Sequence, residues 1–194
     1  MAVVLVTGPV RSGKSAFAAG LARASGCEVT YVATAAGELE DAEWRARLTR
    51  HVRDRPAAWR TLETATMSRA AQLTFFREAP SNACLLVDAL GTWLAARISA
   101  SIELLEIDYT VLESQLDQEA AEFVDALLAS PAYVIAVSEQ IGWDVVPVAA
   151  SARLFRDAMG RMVQRLAKGA DHVYLVVAGY ALDLRAAGEP IDER

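Results

Sequence analysis

Eight consecutive residues constrain this chain more than any other part of it. Gly8-Pro9-Val10-Arg11-Ser12-Gly13-Lys14-Ser15 follows an apolar, β-branched run at residues 2–7 and precedes a segment in which Phe17 and Leu21 stand four apart. Strand, glycine loop and helix is the order in which G-x-x-x-x-G-K-[ST] has physical meaning. The glycines let the backbone curl so that successive N–H groups point at phosphate oxygens, and the helix behind them adds its positive dipole end. In such a loop Lys14 reaches the β and γ phosphates of a nucleotide, and the Ser15 hydroxyl ligates Mg²⁺. Roughly one match in a thousand is expected from shuffled chains of this composition, before strand and helix are required. The chain holds 17 Arg and only 2 Lys, and one of those lysines falls on the motif position.

A strand that ends in a phosphate loop belongs inside a sheet, and the rest of the chain supplies one. Further short apolar runs lie at residues 29–34, 83–88, 133–138 and 173–178. Helical patterns alternate with them, at residues 15–24, through Leu105, Tyr109, Leu112, Leu116, Ala120, Phe123 and Leu127, and at residues 151–167. The last aligns Leu154, Ala158, Met162 and Leu166 on one face and leaves Arg153, Arg156, Arg161 and Arg165 elsewhere. This alternation predicts an α/β fold of the P-loop NTPase type, a mostly parallel sheet with helices on both faces. Residues 180–185 are expected to return as an edge strand. Residues 1–194 read as a single nucleotide-binding domain, with a polar tail at 186–194 expected to fray.

At 194 residues and 54% hydrophobic composition, such a chain buries roughly 70% of its unfolded surface and needs no disulfide. Cys27 and Cys84 have no metal-ligand spacing and read as unpaired thiols of a reducing compartment. A formal charge of −6 argues against general attachment to nucleic acid or to an anionic membrane. No apolar run approaches a membrane span, and residues 2–7 lack a basic leader, so the expected location is cytoplasmic.

Two more residues carry chemistry. The run Leu85-Leu86-Val87 ends in Asp88, the position from which a carboxylate at the end of a buried strand organises the metal of a nucleotide site. Asp is also common at strand ends as a turn cap. His51 stands among Arg45, Arg47, Arg50, Arg53, Arg55 and Arg60. Positive neighbours keep imidazole neutral and nucleophilic, and guanidinium forks hold phosphate oxygens, so His51 could carry a nucleotidyl group as a phosphoramidate. An arginine-rich solvated helix face with an incidental histidine fits the same residues. His172, leading into the 173–178 run, reads as structural.

Taken together, these segments resemble the adenosylcobinamide kinase / adenosylcobinamide-phosphate guanylyltransferase family. The likeness runs through the Gly8 to Ser15 loop, Tyr31-Val32-Ala33-Thr34, Asp41-Ala42-Glu43-Trp44-Arg45-Ala46-Arg47-Leu48, His51, Arg55-Pro56 and Trp59-Arg60-Thr61-Leu62-Glu63. It continues in Leu86-Val87-Asp88, Phe155-Arg156-Asp157, Gly160-Arg161 and the run from Ala170 to Gly179. The resemblance implies phosphorylation of adenosylcobinamide by GTP or ATP, then transfer of GMP from GTP to that phosphate through a guanylylated histidine, which falls on His51. It also implies nucleotide contacts at Thr34, Ala35, Arg53 and Glu63, Mg²⁺ at the phosphates, and assembly as a homo-oligomer, the trimer of the resembling family.

The chain departs from the family pattern in places. Asn-Glu-Val-Gly becomes Glu139-Gln140-Ile141-Gly142, Glu-Asn-Arg becomes Val148-Ala149-Ala150, and a further Asn becomes Val163. These changes spare the phosphate loop, His51 and Asp88, and bear on acceptor recognition or the kinase step. Glu139 is not an equivalent exchange for the glutamate missing at Gln140, because neighbours on an extended segment face opposite ways. Two other readings stay open: a small-molecule P-loop kinase with no covalent step, and a nucleotide-binding relative without chemistry.

Overall fold

The structure is a computed structural model that describes residues 2–34, 55–102, 108–143 and 145–191. Its strands are β1 (Val3–Gly8), β2 (Glu28–Ala33), β3 (Arg60–Glu63), β4 (Ala83–Asp88), β5 (Tyr133–Glu139), β6 (His172–Val177) and β7 (Tyr180–Asp183). Its helices are α1 (Lys14–Ala24), α2 (Arg69–Arg77), α3 (Leu90–Ile102), α4 (Tyr109–Leu128), α5 (Ala150–Gly169) and α6 (Leu184–Ala187). The sheet order is β3-β2-β4-β5-β1-β6-β7, parallel throughout except for β7 against β6.

Every residue of β1 is buried, as expected of a strand with both faces covered. Alternation sends its side chains to two cores. Val3 and Leu5 join Val32, Leu85, Val87, Val134 and Ala136 against α2 to α5, while Val4 and Val6 join Tyr31, Leu86, Ile135 and Val137 against Ala18 and Ala22 of α1. On the first face Trp93 stacks on Phe123 at 4.3 Å, and Phe76 meets Phe123 edge-on at 5.3 Å, tying α2, α3 and α4 together. The buried Gln72 accepts from Trp93 Nε1 at 3.0 Å and donates to the Thr64 carbonyl at 2.9 Å. It thereby fixes the turn that follows β3.

The expected mostly parallel α/β sheet is the one observed, with element ends shifted by a residue or two. The arginines expected off the apolar face of α5 lie there: Arg161 pairs with Asp117 and Glu113, and Arg165 with Asp125, all on α4. The edge strand expected at 180–185 stops at Asp183, whose carboxylate accepts from the Arg185 and Ala186 amides and starts α6. Ala186 and Ala187, expected in a fraying tail, are therefore in a helical turn. Leu105 of the long helical pattern lies outside the described residues, and α4 begins at Tyr109 behind an Asp108 cap. The pattern did not disclose β3, α2 or α3.

Candidate nucleotide and metal site

The phosphate loop bridges the C-terminal end of β1 and the first turn of α1. Gly8 is obligatory on steric grounds, since a Cβ there would overlap the Val176 carbonyl of β6. Gly13 (φ 100°) and Arg11 (φ 57°) take left-handed backbone conformations that let the chain curl. The Ser12 amide bonds the Pro9 carbonyl at 3.3 Å, and the Gly179 amide, in the turn after β6, holds the Ser12 carbonyl at 2.9 Å. Gly13 brings no side chain to cap α1, and the first turn of α1 has no acidic residue. The positive end of the helix is left for an anion. Lys14 Nζ lies 3.4 Å from the Pro9 carbonyl, folded back along the loop.

Strand register brings three more of the expected residues to the same edge. Glu63 is level with Ala33, and Ala33 with Asp88, so Thr34, Glu63 and Asp88 share the C-terminal tips of β2, β3 and β4. Glu63 is exposed. Thr34 is buried, with its hydroxyl bonded to the Ala89 carbonyl and 2.6 Å from the Thr92 hydroxyl. The Tyr31 hydroxyl donates to Asp88 Oδ2 at 2.8 Å, and the Arg55 guanidinium lies 3.6 Å above the Tyr31 ring. Burial, then the Asp88 charge, pushes the Tyr31 hydroxyl far above its ordinary pKa, so it stays a donor. Tyr31 did not stand out in the sequence as a partner of Asp88, nor Arg55 as a partner of Tyr31.

Between the loop strand and the Asp88 strand runs β5, whose last residue, Glu139, is level with Gly8. Glu139 and Gln140 do face different ways. Gln140 accepts from the Thr7 hydroxyl at 3.3 Å and its amide bonds the Gly8 carbonyl at 2.9 Å. Glu139 Oε2 is buried beside Gly91 of α3 and makes no hydrogen bond of acceptable geometry. Burial raises its pKa; the peptide groups of Glu139 and Gly91 and the Lys14 charge work against that, while the Asp88 charge adds to it.

Ala35, His51 and Arg53 lie outside the described residues. His172 sits at the start of β6, level with Val4, at the far end of the sheet from the loop; its Nδ1 is 3.7 Å from Asp183. Among the described residues no cluster of three His, Cys, Asp or Glu side chains could hold an ion unaided. Mg²⁺ in phosphate-transfer sites takes one or two carboxylates and completes its shell with substrate phosphates and water. The Ser15 hydroxyl and the Asp88 carboxylate, hard oxygen donors, fit that description.

A left-handed glycine loop on a buried strand, an uncapped helix, one lysine and a carboxylate two strands away define a nucleoside-triphosphate-binding protein of the P-loop class. The fold agrees. A prototypical ATPase from the type III secretion system of pathogenic bacteria superposes with a TM-score of 0.54 over 97% of this chain and 59% of its own, at 11% identity. The particular family follows from sequence. The model of the cobinamide kinase / cobinamide phosphate guanyltransferase family matches residues 4–184, and the chain belongs to that family. It is 36% identical over 94% of its length to the bifunctional adenosylcobalamin biosynthesis protein CobU of Salmonella typhimurium, covering 99% of that protein. The bifunctional adenosylcobalamin biosynthesis protein CobP of Pseudomonas aeruginosa is 37% identical over 96% of this chain and 98% of its own.

Proposed function

We propose that this chain phosphorylates adenosylcobinamide with a nucleoside triphosphate and then transfers GMP from GTP to that phosphate through a guanylylated His51. The observation that carries this reading is the phosphate cradle, Gly8 to Ser15 at the same sheet edge as Asp88, in a chain that matches bifunctional relatives over 94% and 96% of its length. In the first step the loop amides, the α1 N-terminus and Lys14 bind the triphosphate and meet charge as it moves onto the leaving nucleoside diphosphate. Ser15 and Asp88 would hold Mg²⁺, which when bound neutralises phosphate charge. Tyr31 positions Asp88. In the second step a His51 nitrogen bonds the α-phosphorus of GTP, pyrophosphate leaves, and the acceptor's phosphate oxygen then displaces the histidine. Thr34, Ala35, Arg53 and Glu63 belong to the nucleotide contacts of this reading.

The free thiols Cys27 and Cys84 support action in a reducing cytoplasm. Among the described residues no helix is long and apolar enough to cross a membrane. One nucleotide-binding domain over residues 1–194, assembled as a homotrimer, completes the proposal.

The test is incubation with Mg²⁺ and GTP labelled at the α-phosphate, without corrinoid, followed by denaturation and mass analysis. Wild type is expected to carry an acid-labile, alkali-stable GMP adduct on His51, and His51→Ala to carry none while still phosphorylating adenosylcobinamide. No adduct on a wild-type chain that binds GTP would reduce the reading to a kinase without a covalent step.

A further inference from the structure

We infer that Glu139 is the carboxylate that receives the proton of the attacking hydroxyl in the phosphoryl step. The inference rests on the kinase half of the proposed function. It begins with position. Glu139 ends β5, the strand between the loop strand and the Asp88 strand, and is level with Gly8 where the phosphate loop begins. A carboxylate on that strand tip lies between the group that holds the triphosphate and the group that holds the metal.

The second observation is an unmet bonding capacity. Glu139 Oε2 is buried beside the Gly91 and Glu139 peptide groups, and neither N–H meets it in good hydrogen-bond geometry, so its bonding capacity is not filled. Glu63 at this edge is exposed, and the other polar side chains nearby have partners. Asp88 Oδ2 accepts from Tyr31, Thr34 is bonded to Ala89, and Gln140 is turned to Thr7. Lys14 is a cation and cannot take a proton. Glu139 Oε2 is thus a sheltered acidic oxygen at these strand tips that lacks a well-formed hydrogen bond.

Third, the neighbouring helix is cut away for it. Gly91 stands in the first turn of α3, and a Cβ at that position would overlap Glu139 Oε2. The charged groups acting on Glu139 are Lys14 and Asp88, with the peptide groups of Glu139 and Gly91 beside them. Burial strengthens its hold on a proton, which suits a base better than an ordinary surface carboxylate does.

The step balances without a further reactant. The acceptor hydroxyl oxygen bonds the γ-phosphorus, and the bond from that phosphorus to the β,γ-bridging oxygen breaks. The nucleoside diphosphate leaves with the electron pair of the broken bond, and the hydroxyl proton passes to Glu139. Guanylylation of His51 involves no acceptor hydroxyl, so Glu139 has no part in it. The two half-reactions should separate.

The experiment compares wild type with Glu139→Gln, which keeps shape and removes the base, and Gly91→Ala, which keeps the base and displaces it. Gly91 is buried, so the folding of Gly91→Ala is checked by its melting curve, and retained adduct formation and nucleotide affinity separate displacement of Glu139 from a general loss of structure. Each is assayed with Mg²⁺ and nucleotide for phosphorylation of adenosylcobinamide, for the GMP adduct on His51, and for nucleotide affinity by titration. Glu139→Gln is expected to lose about 100-fold or more in phosphorylation, the usual scale for a removed general base, with adduct formation and affinity unchanged. Gly91→Ala should fall in the same reaction only. Phosphorylation at the wild-type rate in either variant overturns the inference. So does an equal loss of both half-reactions, the mark of a metal-holding or structural role. A wild type that forms the adduct but phosphorylates no cobinamide overturns it and the kinase half together. A wild type that phosphorylates without an adduct removes only His51, and the Glu139 comparison still decides.

Discussion

The metal-binding role proposed for Asp88 needs a carboxylate held still, and the residue that bonds it is Tyr31. The two are 57 positions apart in sequence, yet Ala33 is level with Asp88 across the β2–β4 ladder, so Tyr31 lies two residues back on the adjacent strand. Tyr31→Phe keeps the packed ring and removes the donor. Phosphoryl transfer is expected to fall roughly tenfold, the usual cost of losing a group that orients a metal ligand, with thermal unfolding nearly unchanged. Kinetics and a melting curve on the same sample check it. Lys14, Ser15 and Asp88 were legible as candidates because the roles proposed for them need fixed residue types in a glycine loop or at the end of a buried strand. Tyr31 and Glu139 were not, because their roles arise from register and from what α3 leaves empty at Gly91. Glu139 drew notice only as a neighbour of the substituted Gln140.

At the scale of elements, the buried strands announced themselves, whereas of the two edge strands β7 was expected and β3 was not. Residues 83–88 read as a strand from an unbroken apolar run and form β4 with those bounds, whereas Arg60-Thr61-Leu62-Glu63 is largely exposed and gains its strand from pairing with β2. Helix α2 was signalled only by the Ser68 cap, whose hydroxyl accepts from the Ala71 amide at 3.2 Å. The contact between β1 and β6 is the element-level feature most open to test. Gly8→Ala sets a methyl group against the Val176 carbonyl, so the two strands must part where the loop starts. A loss of about 2–3 kcal/mol is expected from such overpacking, measured by urea unfolding, together with weaker nucleotide binding.

Across the whole molecule, the parallel sheet does the assembling. Glu63, Ala33 and Asp88 stand in one row and Gly8 and Glu139 in another, because parallel strands in register end on the same side. Residues from five separate stretches of sequence are thereby gathered without any of them being close in the chain. That convergence was legible in outline, since alternating strands and helices imply it, while the strand order was not. The site that results has one phosphate cradle among the described residues, and both half-reactions are proposed to draw on it.

Lys14→Ala is therefore the most direct single test. The variant should remain folded, with a nucleotide-free melting temperature close to wild type. It should lose the rise in melting temperature that Mg²⁺ and GTP give the parent, a stabilisation of about 2.7 kcal/mol when ligand is 100 times Kd. Measured on that protein, phosphorylated cobinamide and the GMP adduct on His51 are expected to disappear together. An adduct that forms at the wild-type rate while phosphorylation is lost would contradict the account, because guanylylation would then draw its GTP from a second site.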